Sequence, residues 1–254
     1  MHADSNGNQV FLPVVIGNPE TAGILPPGSP LPSDETCAAA VTEAPENRAV
    51  NADFNATPGS QSLASNFFPY GSTDPRANTE LAPRVTGNFT GTTDEILQWA
   101  ACKWGINPDI VRAQAAVESW WHQTSKGDWT GYAKNCAPGH EFGVDGRDGL
   151  CAESWGMLQN RYPNEKSSWP GIRDSTAFNL DTSYMIWRAC YEGYEIWLNH
   201  VDRGSEYTAG DAWGCIGRWF AGRWHTGPAE SYIHHVKDYL DRRIWDLPNF
   251  QEPG

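Results

Sequence analysis

The chain has 254 residues, 39% of them hydrophobic and 19% charged, and 31 acids against 18 bases give a net charge of −13. This balance excludes a disordered polyampholyte, and no apolar run approaches the roughly 18 residues that a bilayer-spanning helix requires. The acidic surplus repels phosphate backbones and anionic lipid surfaces, so neither nucleic acid nor membrane insertion is expected; its plainest use is a solvated surface.

Residues 1–35 carry Pro13, Pro19, Pro26, Pro27, Pro30 and Pro32 around one apolar run from Val10 to Ile16, and read as an extended linker. Residues 36–90 stay rich in Pro, Gly, Ser, Asn and Thr, but Cys37, Phe67, Phe68 and Tyr70 suggest an N-terminal arm wrapped on a globular part. All 13 tryptophans lie at or after Trp99, which places the folded domain at 91–250. Thr92-Thr93-Asp94-Glu95 is a capping box, in which the hydroxyl and the carboxylate satisfy each other's free backbone amides. The helix it opens carries Ile96, Trp99, Ala100 and the aliphatic stem of Lys103 at helical spacing, and Gly105 supplies a left-handed stop. Asn107-Pro108-Asp109 then starts a second helix, with Asn as cap, Pro at the first position and an acid at the positive end of the dipole.

Residues 126–170 are rich in Gly, Pro, Asn and Asp and read as loops with a short hairpin. Leu180, Tyr184, Trp187, Tyr191 and Leu198 step by three and four through a longer, core-facing helix. A last helix runs from Ala229 to Trp245 with Ile233, Val236 and Leu240 inward. The expected architecture is mostly α, with a small hairpin and loop lobe in its middle and the extended arm in front.

Six cysteines, with no CxxC pair and no zinc-like spacing, read as disulfides and imply an oxidising compartment. Met1-His2-Ala3-Asp4-Ser5 has neither the basic nor the apolar region of a signal peptide, so a secreted protein whose leader has been removed is expected.

Glu118 closes the second helix inside the apolar and aromatic stretch Ala115-Ala116-Val117-Glu118-Ser119-Trp120-Trp121. Burial raises a carboxyl pKa, and a carboxylic acid still protonated near neutrality is what glycosidic cleavage needs, because the leaving oxygen must take a proton as the bond breaks. On these residues alone Glu118 could equally be a surface acid at a helix end. Further on stands Ser154-Trp155-Gly156-Met157-Leu158-Gln159, followed by Tyr162-Pro163. This pair of motifs resembles the signature of the lytic transglycosylases and goose-type lysozymes, a lysozyme-like group close to glycoside hydrolase family 23. There a Glu-Ser at a helix end precedes a Ser-x-Gly-Leu-Met-Gln-like turn; here the two middle apolar residues are exchanged. Phe178-Asn179-Leu180 with Tyr184 resembles the group's Asn-Ile motif, Trp219-Phe220-Ala221-Gly222 its Tyr-Asn-Ala-Gly, and Tyr232-Ile233 with Val236 its closing Tyr-Val helix.

The resemblance implies a lysozyme-like α+β domain that cleaves β-1,4 bonds of peptidoglycan, as a lytic transglycosylase or an inverting lysozyme; His140 and His234-His235 lack the partner spacing of metal ligands, and a monomer with no metal or cofactor is expected. It gives Glu118 the role of general acid/base and Ser119 that of a hydroxyl holding it. Trp155, Gly156, Met157 and Gln159 would line the sugar subsite, and the Tyr232 hydroxyl would reach back to the acid. Phe220 departs from the pattern, since a polar Asn is usual there. A hydrolase also needs a second carboxylate to activate water; Glu141, Asp145, Asp148 and Glu153 precede the turn, with Asp148 and Glu153 the preferred candidates. Residues 126–153 look longer than the group's equivalent connection, and a Cys136–Cys151 bond would clamp them; Cys190–Cys215 and Cys37–Cys102 would complete one of the 15 possible pairings.

Trp120, Trp121, Trp129, Trp155, Trp169 and Trp224 flank the motifs and suit stacking on pyranose faces, whereas Trp99, Trp187 and Trp245 read as core. Two other readings stay open: a chitinase or chitosanase on the same fold, for which the −13 charge would suit an amine-bearing polymer, and a carbohydrate-binding or wall-anchoring module without turnover.

Overall fold

The computed structural model describes residues 22–200 and 206–250. The eight α-helices among them are α1 (Asp34–Ala40), α2 (Ala52–Asn55), α3 (Thr93–Trp104), α4 (Pro108–Ser119), α5 (Gly171–Asp174), α6 (Thr176–Tyr191), α7 (Ala212–Ala221) and α8 (Gly227–Asp241). Three short strands, β1 (Lys126–Thr130), β2 (Cys151–Trp155) and β3 (Asn160–Arg161), form an antiparallel sheet in the order β1-β2-β3, with Lys126 opposite Trp155 and Thr130 opposite Cys151. The molecule is therefore mostly α with a small β lobe, and the run Val10 to Ile16 lies outside the described residues.

The local rules hold at both early helices. The Thr92 hydroxyl and Glu95 carboxylate form the reciprocal capping box, Gly105 ends α3 at φ 64°, and the Asn107 side chain accepts from the Asp109 amide at 2.8 Å. At the centre α6 is buried along its whole length and packs against α3, α5 and α7. An all-round buried helix cannot be amphipathic in the ordinary sense. Its polar residues work instead: Asp181 accepts from Lys103 Nζ at 2.7 Å, from the Trp104 indole at 2.8 Å, and from the amides of Thr86 and Gly87 at 2.9 and 2.8 Å. Lys103 is thus buried, head included, and also ion-paired to Asp34 at 2.7 Å, where the sequence suggested that only its aliphatic stem joins the apolar stripe. A second correction concerns Leu198, which lies beyond the end of α6 in a separate turn (Ile196–Asn199), because the chain bends back at Gly193 with φ 85°.

The N-terminal segments are docked on this helical frame. Cys37 on α1 is bonded to Cys102 on α3, and the other bridges are Cys136–Cys151 and Cys190–Cys215. Residues 24–26, composed like a linker, lie against the domain instead: the Leu25 amide donates to Gly105 O at 2.8 Å, and Arg188 donates to the carbonyls of Leu25 and Pro26 at 2.8 and 2.9 Å. A Pro-rich extended segment makes no internal hydrogen bonds, so its carbonyls are available to a buried guanidinium. Three disulfides fit an oxidising compartment. No helix among the described residues is long and apolar enough to cross a membrane.

Candidate active site

Glu118 is the penultimate residue of α4, and the chain leaves the helix through two residues in left-handed conformation, Trp120 (φ 56°) and Trp121 (φ 62°). Such a turn is costly without glycine and needs outside support. The arm supplies it. Buried Arg48 donates from Nε to Trp120 O at 2.9 Å, and Asn51 donates to Trp121 O at 2.7 Å while accepting from the Gln123 amide at 2.8 Å. The end of the helix carrying Glu118 is therefore held by residues about 70 positions earlier, and nothing in their spacing announces that role.

Glu118 faces a cleft of about 1040 Å³ whose lining includes Asp128, Gln159, Arg161, Glu165, Arg218 and Trp219. The Tyr232 hydroxyl, on α8, donates to Glu118 Oε1. Burial lifts the Glu118 carboxyl from 4.5 to about 7, with the Asp128 charge pushing the same way and the hydrogen bonds of Tyr232 and Trp219 pulling back. Burial and the Glu118 charge also raise the pKa values of Tyr232 and Tyr184 well above 10, so both phenols stay protonated donors. The Phe220 ring, 60% exposed, stacks on Tyr232 with centroids 4.9 Å apart and planes at 3°. At the position where the resemblance expects Asn, an aromatic lid covers the phenol that holds the acid.

The Gly156 turn packs behind this acid. Met157 is fully buried and its sulfur lies 3.8 Å from the Ser119 hydroxyl, which also accepts from the His122 amide at 3.2 Å. Ser119 thus braces the end of α4, donating to Ala115 O at 3.3 Å, and makes no hydrogen bond to Glu118 of the kind the resemblance implies; neither Ser119 nor Met157 lines the cleft, and Met157 supports the site from the core. Gly156 has φ 79°, and a Cβ there would stand 2.3 Å from Asn179 Nδ2 and 2.8 Å from Gln123 Nε2. Its missing side chain makes room for this polar clamp, not for a sugar. Gln123 accepts from the Met157 amide at 3.0 Å, and Asn179 accepts from the Leu158 amide at 3.0 Å while donating to Trp155 O at 3.0 Å. Gln159 alone of the four turn candidates lines the cleft. Trp155, the last residue of β2, is buried and stands edge-on to His140 and Trp169.

The two preferred second carboxylates lie elsewhere. Asp148 is exposed in the loop that the Cys136–Cys151 bond clamps and does not line the cleft. Glu153 is buried on β2; burial opposes its ionisation, but hydrogen bonds from Asn135, at 2.7 Å, and Arg161 outweigh that and hold its pKa below the ordinary value. Its charge is committed to Arg161. Asp128, Glu165 and Glu195 do share the cleft with Glu118, and of these Asp128 is held in left-handed conformation (φ 48°) on β1 and accepts a hydrogen bond from Ser154. A non-glycine residue at positive φ in a cleft is a strained position of the kind found at functional sites, but the sequence shows only one more acid after a Gly. A further carboxyl, Glu165, is lifted by burial to about 7 against the pull of Arg218 and Asn160, and its Oε2 has no hydrogen-bond partner.

The cleft tryptophans are also different from those expected. Trp197 and Trp219 line it, whereas Trp120, Trp121, Trp129, Trp155, Trp169 and Trp224 do not. Trp99, Trp187 and Trp245 are buried. Among the described residues no group of three or more His, Cys, Asp or Glu side chains is placed to hold a metal ion. In comparisons with known proteins, no family model, no curated protein and no solved structure matches the chain.

Proposed function

We propose that the protein is a lysozyme-like glycosidase that cleaves β-1,4 bonds of peptidoglycan outside the cytoplasm, with Glu118 as general acid and then general base. The observation that carries this reading is the pairing of Glu118 with Tyr232 in a polymer-sized cleft: burial keeps this carboxyl protonated to about pH 7, as it does that of Glu165 in the same cleft, and the Tyr232 hydroxyl orients it. Protonated Glu118 gives its proton to the leaving glycosidic oxygen, and the resulting carboxylate is stabilised by the Tyr232 hydroxyl. In an inverting hydrolase water attacks the anomeric carbon from the opposite ring face, its proton goes to a second carboxylate, a role for which Asp128 in the same cleft is the candidate, and Glu118 is reprotonated from solvent. In a lytic transglycosylase the 6-hydroxyl of the N-acetylmuramic acid residue attacks instead and gives its proton back to the Glu118 carboxylate, so one acid suffices.

The net charge of −13 favours a second polymer, partly deacetylated chitin, whose amines are cationic. Mass spectrometry of digests separates these readings. Reducing ends from peptidoglycan indicate hydrolysis, 1,6-anhydro ends indicate transglycosylation, and turnover of chitosan alone indicates the second polymer. Glu118→Gln should keep the fold and polymer binding and lower turnover by at least about a thousandfold. Wild-type protein that binds these polymers and releases no product from any of them would overturn the enzymatic reading.

A further inference from the structure

The cleft has a wall that Glu118 chemistry does not use. It comes from the arm: Phe67, Phe68, Pro69 and Ser72 line the same cleft as Glu118, facing Trp197 and Arg218. This wall is built rigidly. Asn78 grips the Phe68 backbone from both sides, accepting from its amide and donating to its carbonyl, each at 2.9 Å. Phe68 is buried, and the half-buried Phe67 ring stands edge-on to it at 5.1 Å. Two backbone hydrogen bonds stitch the arm to the segment after α6, from the Trp197 amide to Ser72 O at 2.9 Å and from the Asp74 amide to Tyr194 O at 2.8 Å. The Trp197 ring is held by the Arg218 guanidinium, 5.3 Å from its centroid, and Arg218 is in turn paired with Glu195 at 2.6 Å.

We propose that Phe67 and Trp197 form a distal saccharide subsite, where the arm takes the apolar face of an N-acetylhexosamine ring of the chain being cleaved. The proposal rests on the glycosidase reading and adds a second point of contact to it. Three observations carry it. The wall is continuous with the cleft holding Glu118, and about 1040 Å³ is at the upper end for ligand clefts, room for an oligomer more than for one ring. Because Arg218 is neutralised by Glu195, the wall offers ring faces and hydrogen-bonding groups without a net charge, which is the chemistry of a neutral pyranose. And because both aromatic residues are positioned before ligand arrives, little ordering entropy opposes the contact.

The test uses the full chain carrying Glu118→Gln, so that ligand is bound but not cut, with the hexamer and trimer of N-acetylglucosamine as probes in calorimetric titrations. Adding Phe67→Ala or Trp197→Ala should weaken hexamer binding about tenfold each while changing trimer binding much less, and Trp197→Phe should restore most of the loss. Ser72→Arg, which removes no core atom and crowds the wall, should give the same selective loss even if an alanine variant fails to fold. Equal hexamer affinity in folded wall variants would overturn the subsite. If the hexamer does not bind with the wall intact, the saccharide reading falls, and the subsite with it.

Discussion

Burial and the Asp128 charge lift the Glu118 carboxyl, while the Tyr232 hydroxyl and the Trp219 indole stabilise its ionised form. These influences can be removed one at a time with opposite results. Tyr232→Phe removes a stabiliser of the carboxylate, so the alkaline limb of the pH–rate profile should move above pH 7 and kcat should fall about tenfold as the acid loses its orientation. Asp128→Asn removes a repelling charge, so the same limb should move below pH 7; if Asp128 also activates water, kcat falls at least a hundredfold with it, and if the reaction is anhydro-forming it does not. Steady-state profiles of the two variants check both signs. Glu118 also sets a stability trend. Its folded pKa lies above the ordinary 4.5, so its contribution is intact below that pH and is lost as pH rises towards 7, where the buried carboxylate must ionise. Glu118→Gln should therefore gain stability over wild type at pH 8 relative to pH 4, by at most about 3 kcal/mol at ~1.4 kcal/mol per pH unit, and less where solvent reaches the group. Urea unfolding at the two pH values measures the difference.

Helix by helix, the chain was readable where the signal is local. The capping box of α3, the Asn107 cap of α4 and the inward edge of α8 each depend on residues within four positions of one another, and each forms as its spacing predicts. The Gly156 turn was recognisable as important but not for the reason its position suggests. Its φ of 79° and its glycine are required by Gln123 and Asn179, which reach it from separate elements; a motif shows that a side chain is forbidden without showing what forbids it. Gly156→Ala tests this account. A methyl 2.3 Å from the Asn179 amide at a left-handed backbone position should cost about 2–4 kcal/mol, through strain and a broken buried polar clamp. Asn179→Ala should show a loss of similar size with Gly156 intact, and the double variant should lose less than the sum of the two, as expected for residues that share one interaction. Thermal unfolding of the three proteins decides the point.

At the scale of the whole molecule, the sequence suggests a wrapped arm but conceals what holds it and what it does. The arm's composition is that of a linker, because it buries only scattered apolar anchors such as Phe68, Leu81 and Val85 and is otherwise held by single polar contacts across long stretches of chain: Arg48 to Trp120, Asn51 to Trp121, Asp181 to Thr86 and Gly87. Such contacts leave no periodicity, and the signals of docking were Cys37, Phe67, Phe68 and Tyr70, of which Tyr70 is exposed. Yet the arm both braces the end of α4 beneath Glu118 and forms one wall of the cleft, so cleft and acid depend on its being docked. The Cys37–Cys102 bond is the covalent part of that docking, and it closes a loop of 65 residues. On chain entropy, replacing both cysteines by alanine should cost about 4 kcal/mol of stability, because the unfolded chain regains the freedom of a long loop. If the arm were only a passive wrapping, activity in the double variant would track the folded fraction reported by circular dichroism. Because the arm supports the acid, activity should instead be lost at a lower temperature than helical signal, and proteolysis within residues 42–90 should begin in the interval between the two. Coincident loss of activity and helix would assign the bond to global stability alone.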